Sequence, residues 1–482
     1  MHISLPAFFR TFWIELIVIV VMFLMCTWSA STLLTKPKIW IDEALTLELS
    51  RNLSEHGVLN AQSGPGEWYP QPYLLQETGY PVTASLAGFF KIFGYGFTQA
   101  RIAMLIWITA ALGTFFLVFR KLFSKEIALQ SFLLLSTFAS FYANGRPATG
   151  EIPGFAFFLV GLYFWLSRSN LWLTGLVWGF AVVAKPSVFI FLIPSITIML
   201  LLQRKPFLAR IKDILRVGIS MLPAGLMWTW LVIPEPFSLS AWRSIAGFFT
   251  HSFDAATGSA APAVISVFSQ PTLIYFALWL SALCIALRFV TDHKIRLLYF
   301  FTLIYTVFAF TQYLRSPGWL RYILISEFLI LALLPHAFQI LQERFGHMLP
   351  SRIAQKSAAI IIGVIVLFQF VQLNTIAKLY TSDGVIRTAQ YLNTHYPDAS
   401  IASLGSLTTS VLLDTDNRYT YIRFPGIPAI GSNLLASEKL PDVVIADETT
   451  EEYLESKEML EEKYHKAVTI DAFGVYELVT HD

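Results

Sequence analysis

Trp40-Ile41-Asp42-Glu43-Ala44 stands just beyond the apolar run FWIELIVIVVMFLMCTWSASTLL at residues 12–34. A run of that length is enough to cross a bilayer, which takes about 20 apolar residues. Two acids directly beyond the exit of a membrane helix are not needed to anchor it. Carboxylates at a bilayer surface are expensive and point to chemistry on something held in the membrane.

The rest of the composition agrees with a membrane setting. The 482 residues are 55% hydrophobic and only 14% charged, where soluble domains carry about 25% charged residues. Mean hydropathy is +0.59. The 41 Phe and 13 Trp suit lipid contact and interfacial belts. The net charge of +2 hides an asymmetry: residues 381–482 hold 17 acids against 7 Lys or Arg, a net of −10, which leaves +12 for residues 1–380. The sequence therefore divides into a transmembrane domain, 1–380, and a soluble acidic domain, 381–482. Both cysteines, Cys26 and Cys284, fall inside apolar spans, so no disulfide framework exists. No small-residue cleavage site follows the first span, which reads as a retained anchor.

Eleven apolar stretches are candidate spans, near 12–34, 98–119, 126–143, 151–167, 171–185, 187–203, 214–234, 266–289, 295–312, 321–341 and 357–378. A twelfth, residues 80–95, is shorter and holds Lys91. The positive-inside rule decides its treatment. If it does not cross and the N-terminus is cytoplasmic, the inside loops collect Arg120, Lys121, Lys125, Arg168, Arg204, Lys205, Arg210, Lys212, Arg288, Lys294, Arg296, Arg344, Arg352 and Lys356. The short outside loops then hold only Arg146, Lys185, Arg243, Arg315 and Arg321. A crossing at 80–95 would reverse the bias. It reads as a re-entrant or interfacial helix, and eleven spans place the C-terminal domain outside. Asp42, Glu77, Glu151 and Lys185 then share that outer face.

Within the first outer loop, 35–97, Ile41, Leu45, Leu49 and Leu53 form one apolar stripe, with Glu48, Arg51 and Glu55 off it. The pattern predicts a helix lying on the membrane with Asp42 at its N-terminal end. Residues 60–73 read as a loop. Beyond residue 381, helical patterns at 382–395 and 449–463 flank β-rich runs at 399–402, 419–422, 443–446 and 475–478, a small α/β unit. It carries no phosphate loop, metal-spaced set or nucleophile elbow, and suits either acceptor docking or structural support.

Each ionisable residue on this face has a bland reading and a functional one. Asp42 and Glu43 suit a helix N-terminus, and also suit a general base taking a proton from a hydroxyl or amine. Glu77 either caps the next helix or adds a second acid. Arg146 and Glu151 make a salt pair, or else an anion site beside an orienting acid. Lys185 snorkels or holds a lipid phosphate as a point charge. Arg315, Arg321 and Tyr322 lie at an outer boundary where the charge bias disfavours cations, and arginine's planar fork suits phosphate. His251 and Asp254, in the loop 235–262, are weak candidates for a divalent metal. No cofactor is required by any motif.

These pieces, in this order, resemble the GT-C glycosyltransferases, in particular the branch holding protein O-mannosyltransferases and the lipid A aminoarabinose transferase. The carrying features are Asp42-Glu43, Glu77…Pro81, Arg146…Glu151, Ala184-Lys185-Pro186 and Arg321-Tyr322, over roughly residues 1–205 for the family module. The resemblance implies a GT-C-like fold of about eleven transmembrane helices plus juxtamembrane helices, with a small extracytoplasmic α/β domain. It implies an active site on the outer face of the cell (inner) membrane and a polyprenyl-phosphate sugar donor. The sugar is transferred with inversion, and no nucleic acid takes part. It makes Asp42 the catalytic base, Glu151 the second acid and Lys185 a ligand of the donor phosphate. Glu43, Glu77, Arg146, Arg315, Arg321 and Tyr322 fall to substrate binding. One departure stands out: that branch typically reads Glu-Lys-Pro-Pro where this chain reads Glu77-Thr78-Gly79-Tyr80-Pro81, without the lysine. Two rival readings are a lipid-linked sugar flippase and a non-catalytic scaffold of the same fold in envelope assembly. Transporters favour internal repeats and mid-membrane charges; no clear repeat is present, and the acids gather at one face.

Overall fold

The computed structural model describes residues 5–64, 67–168, 170–233, 235–251, 267–316, 318–348, 356–379, 383–405, 407–424, 427–430 and 440–479. The chain opens with α1 (Leu5–Ser31), α2 (Ile41–His56), a short antiparallel pair β1 (Gln62–Gly64) and β2 (Glu67–Trp68), then α3 (Tyr80–Phe93). There follow α4 (Phe97–Leu122), α5 (Lys125–Ser136), α6 (Ala139–Gly145), α7 (Glu151–Arg168), α8 (Leu171–Ala184), α9 (Pro186–Phe189), α10 (Leu192–Leu201), α11 (Phe207–Val232) and α12 (Leu239–His251). The helical body closes with α13 (Pro271–Leu287), α14 (His293–Arg315), a 3-10 turn at Leu320–Ile323, α15 (Leu324–Phe345) and α16 (Ser357–Leu379).

The protein is a multi-pass membrane protein. Among the described residues six helices are long and apolar enough to cross a bilayer, or seven if α5 and α6, bent by 61° at their junction, form one span. Four more of the expected spans are shorter apolar helices: Glu151–Ser167, Leu171–Ala184, Pro186–Leu201 and Pro271–Leu287. The 14 residues of α8 extend about 21 Å at 1.5 Å each, less than the ~30 Å hydrocarbon thickness. The expected count of eleven is thus reached only if each short helix crosses by itself. Pro186, which cannot donate to the preceding turn, ends one helix and starts the next. α11 leaves its apolar face uncovered, with Leu226 and Trp230 exposed, as suits a helix whose solvent is lipid.

The C-terminal unit is a six-stranded mixed sheet in the order β5-β4-β3-β6-β8-β7. Its strands are β3 (Ile401–Leu404), β4 (Arg418–Phe424), β5 (Ile427–Ile430), β6 (Val443–Asp447), β7 (Tyr464–Ile470) and β8 (Phe473–Leu478). β3 pairs in parallel with β4 and β6, Ile401 lying opposite Arg418 and Val443; β8 runs antiparallel to β6. Its helices are α17 (Gly384–His395), the single turn α18 (Leu407–Ser410) and α19 (Glu451–Lys463). Alternation sorts the faces. Ala402, Val444, Ala446 and Tyr476 pack with Tyr453 and Leu460 of α19. Ile401, Val443, Ile445 and Val475 join a core that also holds Ala44, Leu45, Leu47 and Leu49 of α2.

That shared core corrects the expectation of a helix lying on the membrane. Every residue of α2 from Glu43 to Asn52 is buried. Its apolar side meets α3 and the membrane body, and its polar side lies under the C-terminal unit. Arg51 donates to the Leu413 and Asp414 carbonyls and to Asp416, and Arg418 of β4 pairs with Glu48 at 3.2 Å. α2 ends where Gly57, at φ +72°, turns its N–H back onto the Asn52 and Leu53 carbonyls.

Candidate functional site

Four segments far apart in sequence meet at the N-terminal end of α2. Asp42 comes from its first turn, Glu77 from the loop before α3, Lys185 from the α8–α9 junction and Arg321 from the 3-10 turn before α15. Asp42 accepts a hydrogen bond from Arg321 Nη1, and its Oδ2 lies 3.5 Å from Lys185 Nζ. Glu77 Oε2 is 3.2 Å from Lys185 Nζ and 4.0 Å from Arg321 Nη2. Two carboxylates thus share two cations. The side chain of Lys185 is 1% exposed, those of Arg321 and Asp42 10% and 11%, and that of Glu77 29%; Glu77 is the more exposed of the two acids.

The environments of the two acids differ. Burial alone would raise the pKa of Asp42, but Lys185 and Arg321 outweigh it and hold the carboxyl at about 2. Burial and the Asp42 charge push Glu77 above its ordinary value, against the pull of the same two cations. The acids titrate as a pair. Arg321 is fixed by aromatic faces: its guanidinium carbon lies 4.9 Å from the Trp40 ring centroid, 4.7 Å from Trp319 and 5.5 Å from Tyr322. Trp319 and Tyr322 stack on each other at 6.2 Å.

Lys185 is placed by two glycines. Gly79 donates its N–H to the Ala184 carbonyl at 3.1 Å. A methyl group on Gly79 would overlap the Val183 carbonyl oxygen, and one on Gly150 the Ala184 carbonyl oxygen. The Ala184-Lys185 turn is gripped between the segment carrying Glu77 and the one carrying Glu151. Gly79 stands within the Glu77-Thr78-Gly79-Tyr80-Pro81 departure, where a close backbone approach requires it.

Glu151, in the first turn of α7, is buried, and neither carboxylate oxygen has a hydrogen-bond partner among the described residues. Its charge acts on both Lys185 and Arg321. Of the two readings of Arg146 and Glu151, the salt pair does not form among the described residues. Arg146 instead donates to Thr32 Oγ1 at 2.9 Å and the Lys36 carbonyl at 3.2 Å, and covers the Trp28 ring. Glu43 is fully buried and holds Arg101 of α4 through both oxygens at 2.6 Å, while accepting the Ala148 N–H at 3.1 Å. Both side chains are engaged in holding the frame. Arg315 sits exposed at the end of α14, and Tyr322 is buried against Arg321. Asp254 and the side chain of His251 lie outside the described residues. Among the described residues no three His, Cys, Asp or Glu side chains gather as a metal site.

Arg101 was the residue sequence reasoning missed. Its two remaining Nη1 and one Nη2 donors take the Leu33, Lys36 and Pro37 carbonyls, so all five N–H groups are used. The signal was there: an arginine inside an apolar span needs a partner, and Glu43, read as a helix cap or a substrate ligand, is the acid that meets it.

The sequence profile of the family described as dolichyl-phosphate-mannose-protein mannosyltransferase matches residues 81–230. A sequence comparison with curated proteins finds no match. Among solved structures, ArnT from Cupriavidus metallidurans bound to undecaprenyl phosphate aligns over 98% of both chains at 15% identity, with a TM-score of 0.64. The same protein in the apo state gives 14% identity, 98% of both chains and 0.63. The Archaeoglobus fulgidus oligosaccharyltransferase AglB, in complex with an inhibitory peptide and a dolichol-phosphate, aligns over 98% of this chain and 75% of its own at 11% identity and 0.51. The chain shares the fold of these proteins.

Proposed function

We propose that this chain is an integral-membrane inverting glycosyltransferase. It moves a sugar from a polyprenyl-phosphate donor to an acceptor on the outer face of the cell membrane. The observation that carries the reading is one carboxylate, Asp42, in contact with two buried cations, Lys185 and Arg321. A direct displacement needs a base on one side of the sugar and positive charge on the other, so the reacting sugar enters between Asp42 and the two cations and parts them. The acceptor hydroxyl or amine loses its proton to Asp42 and bonds to the anomeric carbon. The anomeric carbon–phosphate oxygen bond breaks, and the electron pair leaves with the lipid phosphate. Lys185 and Arg321 hold that developing charge in a site already shaped for it. A phosphate leaving group needs no strong acid to protonate it, so a base and a cationic clamp suffice.

Asp42 at about 2 is a weak base while both cations hold it. The donor phosphate draws on the same cations and loosens their hold, which raises the basicity of Asp42 as the reactants assemble. Glu151, buried and unpaired beside the clamp, orients the acceptor. Glu43, Arg101 and Arg146 keep the acid-bearing segments in register. The fold shared with proteins bound to undecaprenyl phosphate and dolichol-phosphate supports a lipid-phosphate donor, and the apolar helices supply a place for its tail.

Asp42→Asn tests the reading. Transfer from a polyprenyl-phosphate sugar falls about 10²–10⁴-fold, the usual worth of a positioned base, with the elution profile of folded protein unchanged. Transfer at the wild-type rate overturns the assignment.

A further inference from the structure

One acid of the cluster has no part in this reaction. Glu77 takes no proton and holds no substrate in the scheme above, yet its Oε2 sits 3.2 Å from Lys185 Nζ and 4.0 Å from Arg321 Nη2. Those are the two groups assigned to the phosphate. Its side chain is also the most exposed of the four, 29% against 1–11% for the others, so it is the one freest to leave the cations and return to them.

The charge of the phosphate changes during the reaction. Joined to a sugar it is a diester with one negative charge. Once the anomeric bond breaks it is a monoester with about −1.5 to −2 at neutral pH. The spent lipid phosphate is therefore the stronger ligand of Lys185 and Arg321, and it stays beside them until something replaces it. A carboxylate tethered within reach of both cations competes at a high effective concentration.

We propose that Glu77 displaces the spent lipid phosphate by reclaiming Lys185 and Arg321, and so sets the rate of product release. The proposal rests on the glycosyltransferase reading, since it gives the two cations to a lipid phosphate. It predicts an inverted sign. A Glu77 that only braced the site would weaken phosphate binding when removed, whereas a competitor strengthens it.

The test uses the full chain in nanodiscs with radiolabelled undecaprenyl phosphate. Dissociation is followed after a chase, and affinity at equilibrium. Glu77→Gln is expected to release the lipid about tenfold more slowly and to bind it correspondingly tighter. Glu77→Asp, which keeps a carboxylate, should behave close to wild type, and monodisperse size-exclusion profiles check folding. Unchanged or faster release from Glu77→Gln, with wild type binding through Lys185, overturns this inference alone. If Lys185→Gln binds undecaprenyl phosphate as tightly as wild type, or wild type does not bind it, the assignment of the clamp falls first and this inference with it.

Discussion

Replacing Arg101 by methionine is the sharpest perturbation of the frame that holds the site. The guanidinium is fully buried, bridges both oxygens of Glu43, and takes the carbonyls of Leu33, Lys36 and Pro37. Through Glu43 and the Ala148 N–H it ties the segment of Asp42 to the loop that leads into Glu151. Methionine fills much of the same volume but leaves the Glu43 carboxylate buried with one donor. Removing one partner of a buried ion pair costs about 3–5 kcal/mol, a large share of the ~5–15 kcal/mol that holds a typical protein folded. At roughly 2–4 °C per kcal/mol for a larger chain, the thermal midpoint should fall on the order of 10 °C. The assay is size-exclusion chromatography of detergent-solubilised protein after stepwise heating. The double variant Arg101→Met/Glu43→Gln removes the stranded charge and should recover about 2 kcal/mol of the loss. A drop of under ~3 °C for Arg101→Met, or a double variant less stable than Arg101→Met alone, would refute the reasoning.

Other outcomes follow from the same geometry. Because Asp42 sits at about 2 in the folded protein against an ordinary 3.8, its ion pairs stabilise above pH ~4 and the contribution is lost as pH falls toward 2. That is about 2 kcal/mol at 1.36 kcal/mol per pKa unit; thermal midpoints between pH 5 and 2 should fall more steeply for wild type than for Asp42→Asn. Gly150→Ala drives a methyl into the Ala184 carbonyl and costs about 1–3 kcal/mol of strain. Undecaprenyl phosphate affinity should drop at least tenfold as Lys185 shifts, while Gly363→Ala, which meets open space, leaves it unchanged. Arg418→Met strands Glu48 under the C-terminal unit and costs about 3 kcal/mol; hydrogen exchange should rise across α2 more than across α4.

Much of this was legible in the sequence because membrane proteins make charge conspicuous. Asp42, Lys185 and Arg321 stood out as ionisable residues at the ends of apolar runs, and they are the ones that meet. Glu48, Arg51 and Glu55 were misread because a polar helix face looks the same whether it faces headgroups or another domain. The partner of Glu48 lies 370 residues away, and no local pattern encodes that. The two strands of the six-stranded sheet left out of the sequence reading, β5 and β7, are its edges, and the loop read at 60–73 holds the short pair β1–β2. β7 has His465, Lys466 and Ala467 exposed in succession and follows α19 with no turn between, so neither an apolar run nor a breaker announced it. An Arg146–Glu151 pair was one of two readings open from proximity in sequence, whereas Arg146 turns to α1 and the linker after it. The break at Lys185-Pro186 was legible, since the apolar runs 171–185 and 187–203 read as two stretches, and the structure divides the helices at the same place.

The central claim is that Lys185 and Arg321 hold a lipid phosphate beside Asp42. A structure of the protein with undecaprenyl phosphate tests it most directly. The account predicts the phosphate within hydrogen-bond distance of Lys185 Nζ and the Arg321 guanidinium, with Glu77 moved off both. A phosphate bound elsewhere, with Lys185 still paired to Asp42 and Glu77, would contradict it.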